Sequence, residues 1–213
     1  MKARQLAFAK AYIGKPFSFW HHAAFEDETD VAFTPQFNPR SLVYGDEPWV
    51  AVVLTSSHPQ KFKVAGMITA LGPGGLVEYQ GGLDAAQYCD LLRIHLIPAI
   101  NHVMAGKRWI LFQDGAPSHR SRLTQTFLEH NVPCYVPANK WPPNSPDLNP
   151  IEHVWAVLKK KTWELDHSSF HAFKRAFFQL WDQLESSLLE KMILSLPDRL
   201  QAVIDCEGGW IPY

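Results

Sequence analysis

The stretch KRWILFQDGAPSHRSRLTQTFLEHNVPCYVP (107–137) carries the pattern that decides the fold class. It begins with KRWILFQDG, a short apolar run that ends at Asp114, and it closes with a second apolar run, VPCYVP. Between them, SHRSRLTQTFLEHN has the spacing of a helix, with Ser118 as the expected N-cap. A strand, a helix and a strand in this order favour parallel pairing of the two strands.

Three further strands are predicted before this unit. HHAAFEDETDVAF, KFKVAGMITALG and GGLVEYQGGL have β-like character and are bounded by Gly, Pro or Asn, which favours an antiparallel run. LDAAQYCDLLRIHLIPAINHVMAG then has helical spacing, with Asp84 as a cap, Gly106 as a stop and Pro98 expected to kink the helix or end it early. Further helices are predicted after Pro150. We therefore expect one α/β domain over residues 1–213, in which a mixed sheet of three antiparallel and then two parallel strands is flanked by helices.

Composition narrows the class of protein. The 213 residues are 46% hydrophobic, enough for a large core, and a net charge of −1 gives no global basic field for a polyanion. Three widely spaced cysteines argue against a disulfide framework or zinc knuckle. No run approaches the ~20 apolar residues of a membrane span. We expect a soluble intracellular protein, nuclear in a eukaryote and cytoplasmic or nucleoid-associated in a bacterium, with no membrane partner and no organic cofactor.

Asp114 is the first candidate for chemistry. It lies where a buried strand empties into DGAPSH, and the carboxyl ends of parallel strands are where α/β sheets place their sites. The alternative is that Asp114 only begins a turn, since Asp followed by Gly is common turn chemistry.

Asp27 is the second candidate, in the acidic cluster FEDETDV. Strand alternation places Phe25 and Asp27 on one face, and Glu26 and Glu28 on the other. If Phe25 points into the core, Asp27 looks inward, where an unpaired carboxylate is costly and a metal ion is a natural partner. The alternative is a solvated edge strand whose acids prevent aggregation.

Glu152 is the third candidate, at the end of WPPNSPDLNPIEHVW (141–155). Asn149 suits the N-cap, Pro150 the first helical position and Glu152 the third, where its carboxylate can reach back to the N–H of the cap residue. An ordinary cap needs only Asn-Pro, however, and not ten residues of restricted backbone. The extra length indicates that the position of Glu152 matters.

Three carboxylates at the ends of separate elements, without a cysteine or histidine cluster, suit a hard cation such as Mg²⁺ or Mn²⁺. Two such ions can activate a nucleophile and stabilise the leaving oxygen in an in-line displacement at phosphorus. The pattern therefore favours phosphoryl transfer.

The run FQDGAPSHRSRLTQTFLEHNVPCYVPANKWPPNSPDLNPIEHVWAVLKKK (112–161) resembles the catalytic core of Tc/mariner-superfamily DDE transposases. Its most specific parts are QDGAPSH and WPPNSPDLNPIEHVW. FEDETDV is similar to the strand that carries the family's first aspartate, LVEYQGGLDAAQYCDLL to its central strand and helix, and SLPDRLQAVIDCEGGWIPY to its C-terminal end. The resemblance covers nearly the whole chain.

The resemblance implies a ribonuclease H-like fold with Asp27, Asp114 and Glu152 as the catalytic, metal-binding triad. It implies two Mg²⁺ or Mn²⁺ ions bridged by Asp27, hydrolytic cleavage at transposon ends, and transfer of the freed 3′ hydroxyl into target DNA. Transposon inverted-repeat ends and target DNA are the implied partners, and a homodimer the implied assembly. Glu26, Glu28 and Asp30 remain close competitors for the role of first acid.

Two features depart from the family's pattern. The family's N-terminal helix-turn-helix domains, which recognise transposon ends, are absent before the first strand, so we expect either a shortened chain or an element without its recognition domain. Thirty-seven residues separate Asp114 from Glu152 (152 − 114 − 1), slightly more than is familiar in the family. The extra residues belong to the YVPANKWPP region, and we expect the acids to converge nonetheless.

Several residues near the acids are predicted to contact DNA. His119 matches a histidine of the family that could contact the scissile phosphate, and the alternative is a solvated histidine at a helix N-terminus. The basic residues could form a phosphate-binding rim or only a solvated face that complements a helix dipole. The full set of predicted DNA contacts is His119, Arg120, Arg122, Lys140, Asn144, Lys159 and Lys160, with Lys161 beside them.

Two other functions remain open. One is a transposase-derived protein, recruited by its host, that binds DNA or protein without cleaving. The other is a ribonuclease H-like nuclease of different specificity, for example towards RNA–DNA hybrids, although the Pro-Asp-Leu-Asn-Pro motif counts against it.

Overall fold

The computed structural model describes residues 2–33, 59–165 and 168–211. Its centre is a mixed sheet with the strand order β3-β2-β1-β4, in which β1 and β2 are antiparallel, β2 and β3 are antiparallel, and β1 and β4 are parallel. The strands are β1 (Ala23–Phe33), β2 (Gln60–Thr69), β3 (Gly72–Tyr79) and β4 (Ile110–Phe112).

Helices lie on both faces of the sheet. The helices are α1 (Lys2–Tyr12), α2 (Phe17–His21), α3 (Ala85–Leu91), α4 (Ile97–Val103), α5 (Pro117–Arg120), α6 (Arg122–Asn131), α7 (Pro150–Glu164), α8 (Phe170–Asp182), α9 (Ser186–Leu194) and α10 (Leu196–Asp205). A π-helical turn, Leu92–Leu96, joins α3 to α4, and a 3-10 turn, Pro146–Leu148, precedes α7. No helix in the described ranges is both long and apolar enough to span a bilayer.

The α/β class and the mixed sheet are confirmed, but the second parallel strand is shorter than predicted. VPCYVP makes a single parallel bridge, between Leu111 and Tyr135. Leu111 N–H donates to the Cys134 carbonyl (2.9 Å), and Val136 N–H donates to the Leu111 carbonyl (2.8 Å). The prolines at 133 and 137 have no N–H to give a longer ladder, which accounts for the lost strand.

The long helix after β3 does not end early at Pro98. Asp84 caps α3 in a reciprocal capping box with Gln87, as its position suggested. The helical path then continues through the π turn, in which Ile97 N–H donates to the Leu92 carbonyl, and into α4. A π turn just before a proline relieves the clash that the ring would make with the preceding turn.

Ser118 is not the N-cap of the next helix, contrary to the prediction from the sequence. Ser118 lies inside the short α5, and Ser121 caps α6 by accepting a hydrogen bond from Thr124 N–H (3.0 Å). The chain is extended at Ser121, so two helices replace the predicted one.

The two faces of β1 contact different cores. Phe25 and Val31 pack with α7 and α8 in one core, where Trp155 and Trp181 are buried. Ala24 faces the second core, formed with α3, α4 and α6. Because successive side chains alternate, Asp27 shares the face of Phe25, and Glu26 and Glu28 share the face of Ala24.

Candidate metal centre

The register between β1 and β4 brings two of the predicted acids together. Phe25 is paired with Phe112 in the parallel ladder. Asp27 and Asp114 each lie two residues further along, so both lie just beyond the segment in which β1 and β4 pair. The buried apolar residues of β4 therefore place Asp114 beside Asp27.

Glu152 reaches the same place from α7. Asn149 is the N-cap and Pro150 the first helical residue, as predicted, but Asn149 makes no side-chain cap bond. The predicted capping box is wrong, because the backbone N–H of Asn149 donates to the Pro146 carbonyl (3.0 Å). The Glu152 carboxylate instead lies close enough to Asp27 for its charge to raise the pKa of Asp27.

Asp27, Asp114 and Glu152 line one pocket of about 450 Å³. The proline-rich segment forms much of its wall, and Asn144 lies on that wall with a left-handed backbone (φ 51°). Trp141 is buried against Phe8 and Phe112, so the segment is fixed to the core at its start. The predicted convergence of the acids is observed; their catalytic role stays a prediction.

Asp27 carries the most unfavourable charge in the pocket. Its side chain is buried, with 9% of the residue exposed, and accepts a hydrogen bond from Trp155 Nε1 (3.1 Å). Burial, followed by the charges of Glu152 and Glu28, raises the pKa of Asp27 well above its usual range. Burial also raises the pKa of Glu152, against a lowering effect of Lys159. A divalent cation would offset this repulsion.

Asp114 lies in a more favourable environment. Its Oδ1 accepts from Ala116 N–H (2.8 Å) and lies 2.8 Å from His119 Nδ1. Burial alone would raise the pKa of Asp114, but the hydrogen bond and charge of His119 outweigh burial and lower it. Asp114 is therefore ionised and held in a fixed orientation.

His119 is not where either sequence-based alternative placed it. Its side chain is fully buried, with Nδ1 at Asp114 and Nε2 3.2 Å from Glu28 Oε1, and its ring packs on Tyr88. Burial lowers the pKa of His119, but the bonds to Asp114 and Glu28 raise it well above its usual value. The enclosed ring is neither solvated nor open to DNA, because it lies between the carboxylates of Asp114 and Glu28.

The predicted basic rim is only partly gathered at the acids. Lys159 Nζ donates to Thr29 Oγ1 (2.6 Å), and its charge lowers the pKa of Glu152, so it lies beside the pocket. The exposed Arg120 lies near enough to lower the pKa of Asp114. Lys140 instead lines a separate cleft of about 610 Å³. The exposed Arg122, Lys160 and Lys161 are further candidates, and Lys160 lies 3.9 Å from Glu164.

The sequence did not predict two sets of contacts at the site. Trp155 donates directly to Asp27. A cluster of Glu26, Tyr88 and His119, all buried, and the partly buried Glu28 lies on the opposite face of β1. The acid-rich alternation of FEDETDV placed two acids on that face, but the partners come from α3 and α5.

The family model described as "DDE superfamily endonuclease" matches residues 24–174. The chain therefore belongs to this family. Among curated proteins, it is similar to the Tc1 transposase of Caenorhabditis elegans, at 28% identity over 98% of this chain and 77% of the relative. It is also similar to the Tcb1 transposase of Caenorhabditis briggsae, at 30% identity over 66% of this chain and 49% of that relative. The chain thus spans about half the length of the second relative.

Solved structures show the same fold. The catalytic domain of Mos1 mariner transposase matches 99% of this chain and 95% of its own, with a TM-score of 0.76 and 20% identity. A Mos1 paired-end complex with the left transposon end matches with a TM-score of 0.81 and 21% identity, over 98% of this chain and 62% of that one. The expected ribonuclease H-like fold and the resemblance to Tc/mariner DDE transposases are confirmed.

Proposed function

We propose that this chain is the catalytic domain of a DNA transposase, which cleaves DNA at transposon ends and transfers the freed 3′ hydroxyl into target DNA. Asp27, Asp114 and Glu152 would hold two Mg²⁺ or Mn²⁺ ions for both steps. The observation that carries the proposal is the convergence of these three carboxylates in one pocket, beside the proline-rich segment. The family membership supports the same reaction class.

The donor atoms fit hard divalent cations. All three carboxylates supply oxygen, and Asp27 is buried with too little positive charge around it to balance Glu152 and Glu28. Structures of the Mos1 transposase, which has the same fold, support this choice, since one was solved with Mg and another with Mn. The charges of both Glu152 and Asp114 raise the pKa of Asp27, which suits a position shared between two ions. Bound ions would supply charge neutralisation at the phosphate and a more acidic water.

The protein's own residues orient the carboxylates rather than attack the DNA. Trp155 fixes one oxygen of Asp27, while His119 and the Ala116 N–H fix Asp114. The hydroxyl of Ser145 in the pocket wall is directed to the Pro143 carbonyl. This arrangement favours an external nucleophile, water in the first step and a DNA 3′ hydroxyl in the second, held in line by fixed groups.

DNA is the proposed partner. The Mos1 complex with a transposon end supports it, as do Lys159 and Arg120 beside the acids. We further propose a homodimer, on the strength of the family resemblance, and residence in the compartment that holds the DNA. Size-exclusion chromatography with light scattering tests the dimer: a mass that stays monomeric with and without DNA would contradict it.

Nicking of a supercoiled plasmid tests the function directly. With Mg²⁺ or Mn²⁺ we expect nicked circles, and with chelator none. Asp114→Asn should lower the rate by at least about 100-fold, since it removes a metal ligand but leaves a similar shape. The matched control is Asp90→Asn, because Asp90 is an exposed acid that pairs with Arg93 away from the pocket.

Equal rates for wild type and a folded Asp114→Asn would contradict the proposal. Preferential cleavage of an RNA–DNA hybrid in competition with plasmid would favour the ribonuclease H-like alternative. Failure of a titration calorimeter to detect any Mn²⁺ binding would favour the non-cleaving alternative.

A further inference from the structure

A second cluster of possible metal ligands lies behind the proposed catalytic pocket, on the opposite face of β1. Glu26, Glu28 and His119 each offer one ligand atom, and these atoms lie within 4.8 Å of one another. The alternation of β1 turns Glu26 and Glu28 away from Asp27, so the cluster does not share the carboxylates of the pocket.

The strongest sign that this cluster lacks a partner is the carboxylate of Glu26. Glu26 is fully buried, and Tyr88 Oη donates to its Oε2 (2.8 Å). Its other oxygen, Oε1, is buried and has no hydrogen-bond partner. A buried carboxylate oxygen without a partner is unfavourable, because it has lost its bonds to water and gained none in return. A cation at the cluster would satisfy that oxygen.

The orientation of His119 also fits a metal ligand. Its Nδ1 lies 2.8 Å from Asp114 Oδ1, and since a carboxylate only accepts, Nδ1 carries the proton. Histidines that bind metals almost always donate their other ring N–H to a carboxylate or carbonyl in this way. Nε2 faces Glu28 Oε1 at 3.2 Å and is the atom left for an ion.

We propose that Glu26, Glu28 and His119 form a second divalent-cation site, for Mn²⁺ or Zn²⁺ rather than Mg²⁺. Two carboxylates and one imidazole suit these ions, whereas Mg²⁺ prefers oxygen alone. Binding releases the proton of Nε2 to solvent and forms the metal–nitrogen bond. The side chain of Glu28 is 19% exposed and gives the ion a route in.

The second site is connected to the catalytic pocket through one hydrogen bond. An ion on Nε2 would fix the orientation of the His119 ring, and with it the Nδ1–H bond that already holds Asp114. The site would therefore act as a positioning device behind Asp114. This link to catalysis rests on the proposed function, but the binding of the ion does not.

Pulsed electron paramagnetic resonance of bound Mn²⁺ tests the site, because an imidazole ligand gives a ¹⁴N coupling that an all-oxygen site cannot give. The protein to use is the full chain carrying Asp27→Asn and Glu152→Gln, which weakens the proposed catalytic ions. We expect a bound Mn²⁺ with ¹⁴N coupling in this variant. Adding Glu28→Gln should raise its Kd by at least about tenfold. Adding Asp30→Asn, an exposed acid of the same strand paired with Lys61, should leave it unchanged.

Absence of ¹⁴N coupling in folded wild type and in the folded double variant would overturn the second site. If wild type then still bound Mn²⁺ through oxygen alone, the proposed catalytic ions would stand. Glu26→Gln gives an independent check. If Glu26 is a ligand, this variant should also lose the nitrogen-coupled ion. Retention of the ion in both the Glu26 and the Glu28 variants would contradict the assignment.

Discussion

Asp27 lies in an environment that opposes its charge. It is buried on β1 next to Glu152 and Glu28, and its donors, the Trp155 indole and the Glu28 backbone N–H, are both neutral. Without a cation, the folded protein holds a proton on Asp27 more tightly than the unfolded chain does. The pocket is therefore suited to binding an ion at the expense of the stability of the metal-free protein.

Asp27→Asn should stabilise the metal-free protein and reduce its stabilisation by Mn²⁺. Because the folded-state pKa of Asp27 is raised, the stability it contributes is complete below its unfolded pKa of about 3.9 and is lost as pH rises through the folded value. The melting temperature of metal-free wild type should fall as the pH rises from acidic to mildly alkaline, and it should fall less in the variant. Each kcal/mol corresponds to roughly 2–4 °C. A steeper fall in the variant would contradict the account.

Trp155→Phe tests the donor to Asp27. The indole N–H is lost while the ring is retained, so we expect Mn²⁺ affinity or nicking rate to fall about 10–100-fold. Trp163→Phe is the control, on the same helix but stacked on Phe33. Thermal melts establish that both variants are folded. Equal loss in both variants would assign the effect to packing rather than to the bond.

At the scale of elements, α7 and the proline-rich segment place Glu152, and the two terminal helices hold that segment. Gln5 of α1 donates to Asp147 Oδ2 (2.9 Å), and Arg199 of α10 donates to the Asp147 carbonyl (3.0 Å). Arg199 is almost fully buried. The first helix and the last therefore meet at the turn that starts α7.

Arg199→Met should destabilise the domain and misplace Glu152. It leaves the buried Asp147 carbonyl without this donor, which costs about 1–3 kcal/mol. We expect a lower denaturation midpoint, together with a lower nicking rate at saturating DNA under conditions where the variant is fully folded. Arg93→Met, at an exposed arginine paired with Asp90, is the control. A variant with wild-type rate would show that α10 does not position the site.

The contact between β2 and α7 is tight at Gly66, which pairs with Asp27 across the sheet. A Cβ at Gly66 would lie 2.7 Å from Trp155 and 2.8 Å from Trp181. Gly66→Ala should therefore cost about 1–3 kcal/mol in chemical denaturation, by overpacking. Gly82→Ala is the control, since its Cβ would meet open space. Similar stability of both variants would contradict the close packing of Trp155.

For the molecule as a whole, local patterns predicted the parts that depend on local chemistry. The alternation of FEDETDV placed Asp27 on the face of Phe25, and the apolar run before Asp114 placed that acid at a strand end. Asn149 and Pro150 marked the start of α7. These features follow from backbone geometry and capping within a few residues, so the sequence contains them.

The remaining features depend on contacts between distant segments. The burial of His119 requires Glu28, which is 91 residues away, and the missing capping box follows from the 3-10 turn that takes the N–H of Asn149. Ser121 replaces Ser118 as a cap because the chain is extended between α5 and α6. None of these partners can be read from spacing alone.

The central claim is that Asp27, Asp114 and Glu152 together bind the ions used for DNA cleavage. Anomalous diffraction from crystals soaked in Mn²⁺ tests it most directly. We predict two peaks in the pocket, both within bonding distance of Asp27, one also bound by Asp114 and the other by Glu152. A pocket without Mn²⁺ at saturating concentration, or peaks inside the pocket that Asp27 does not bind, would contradict the account.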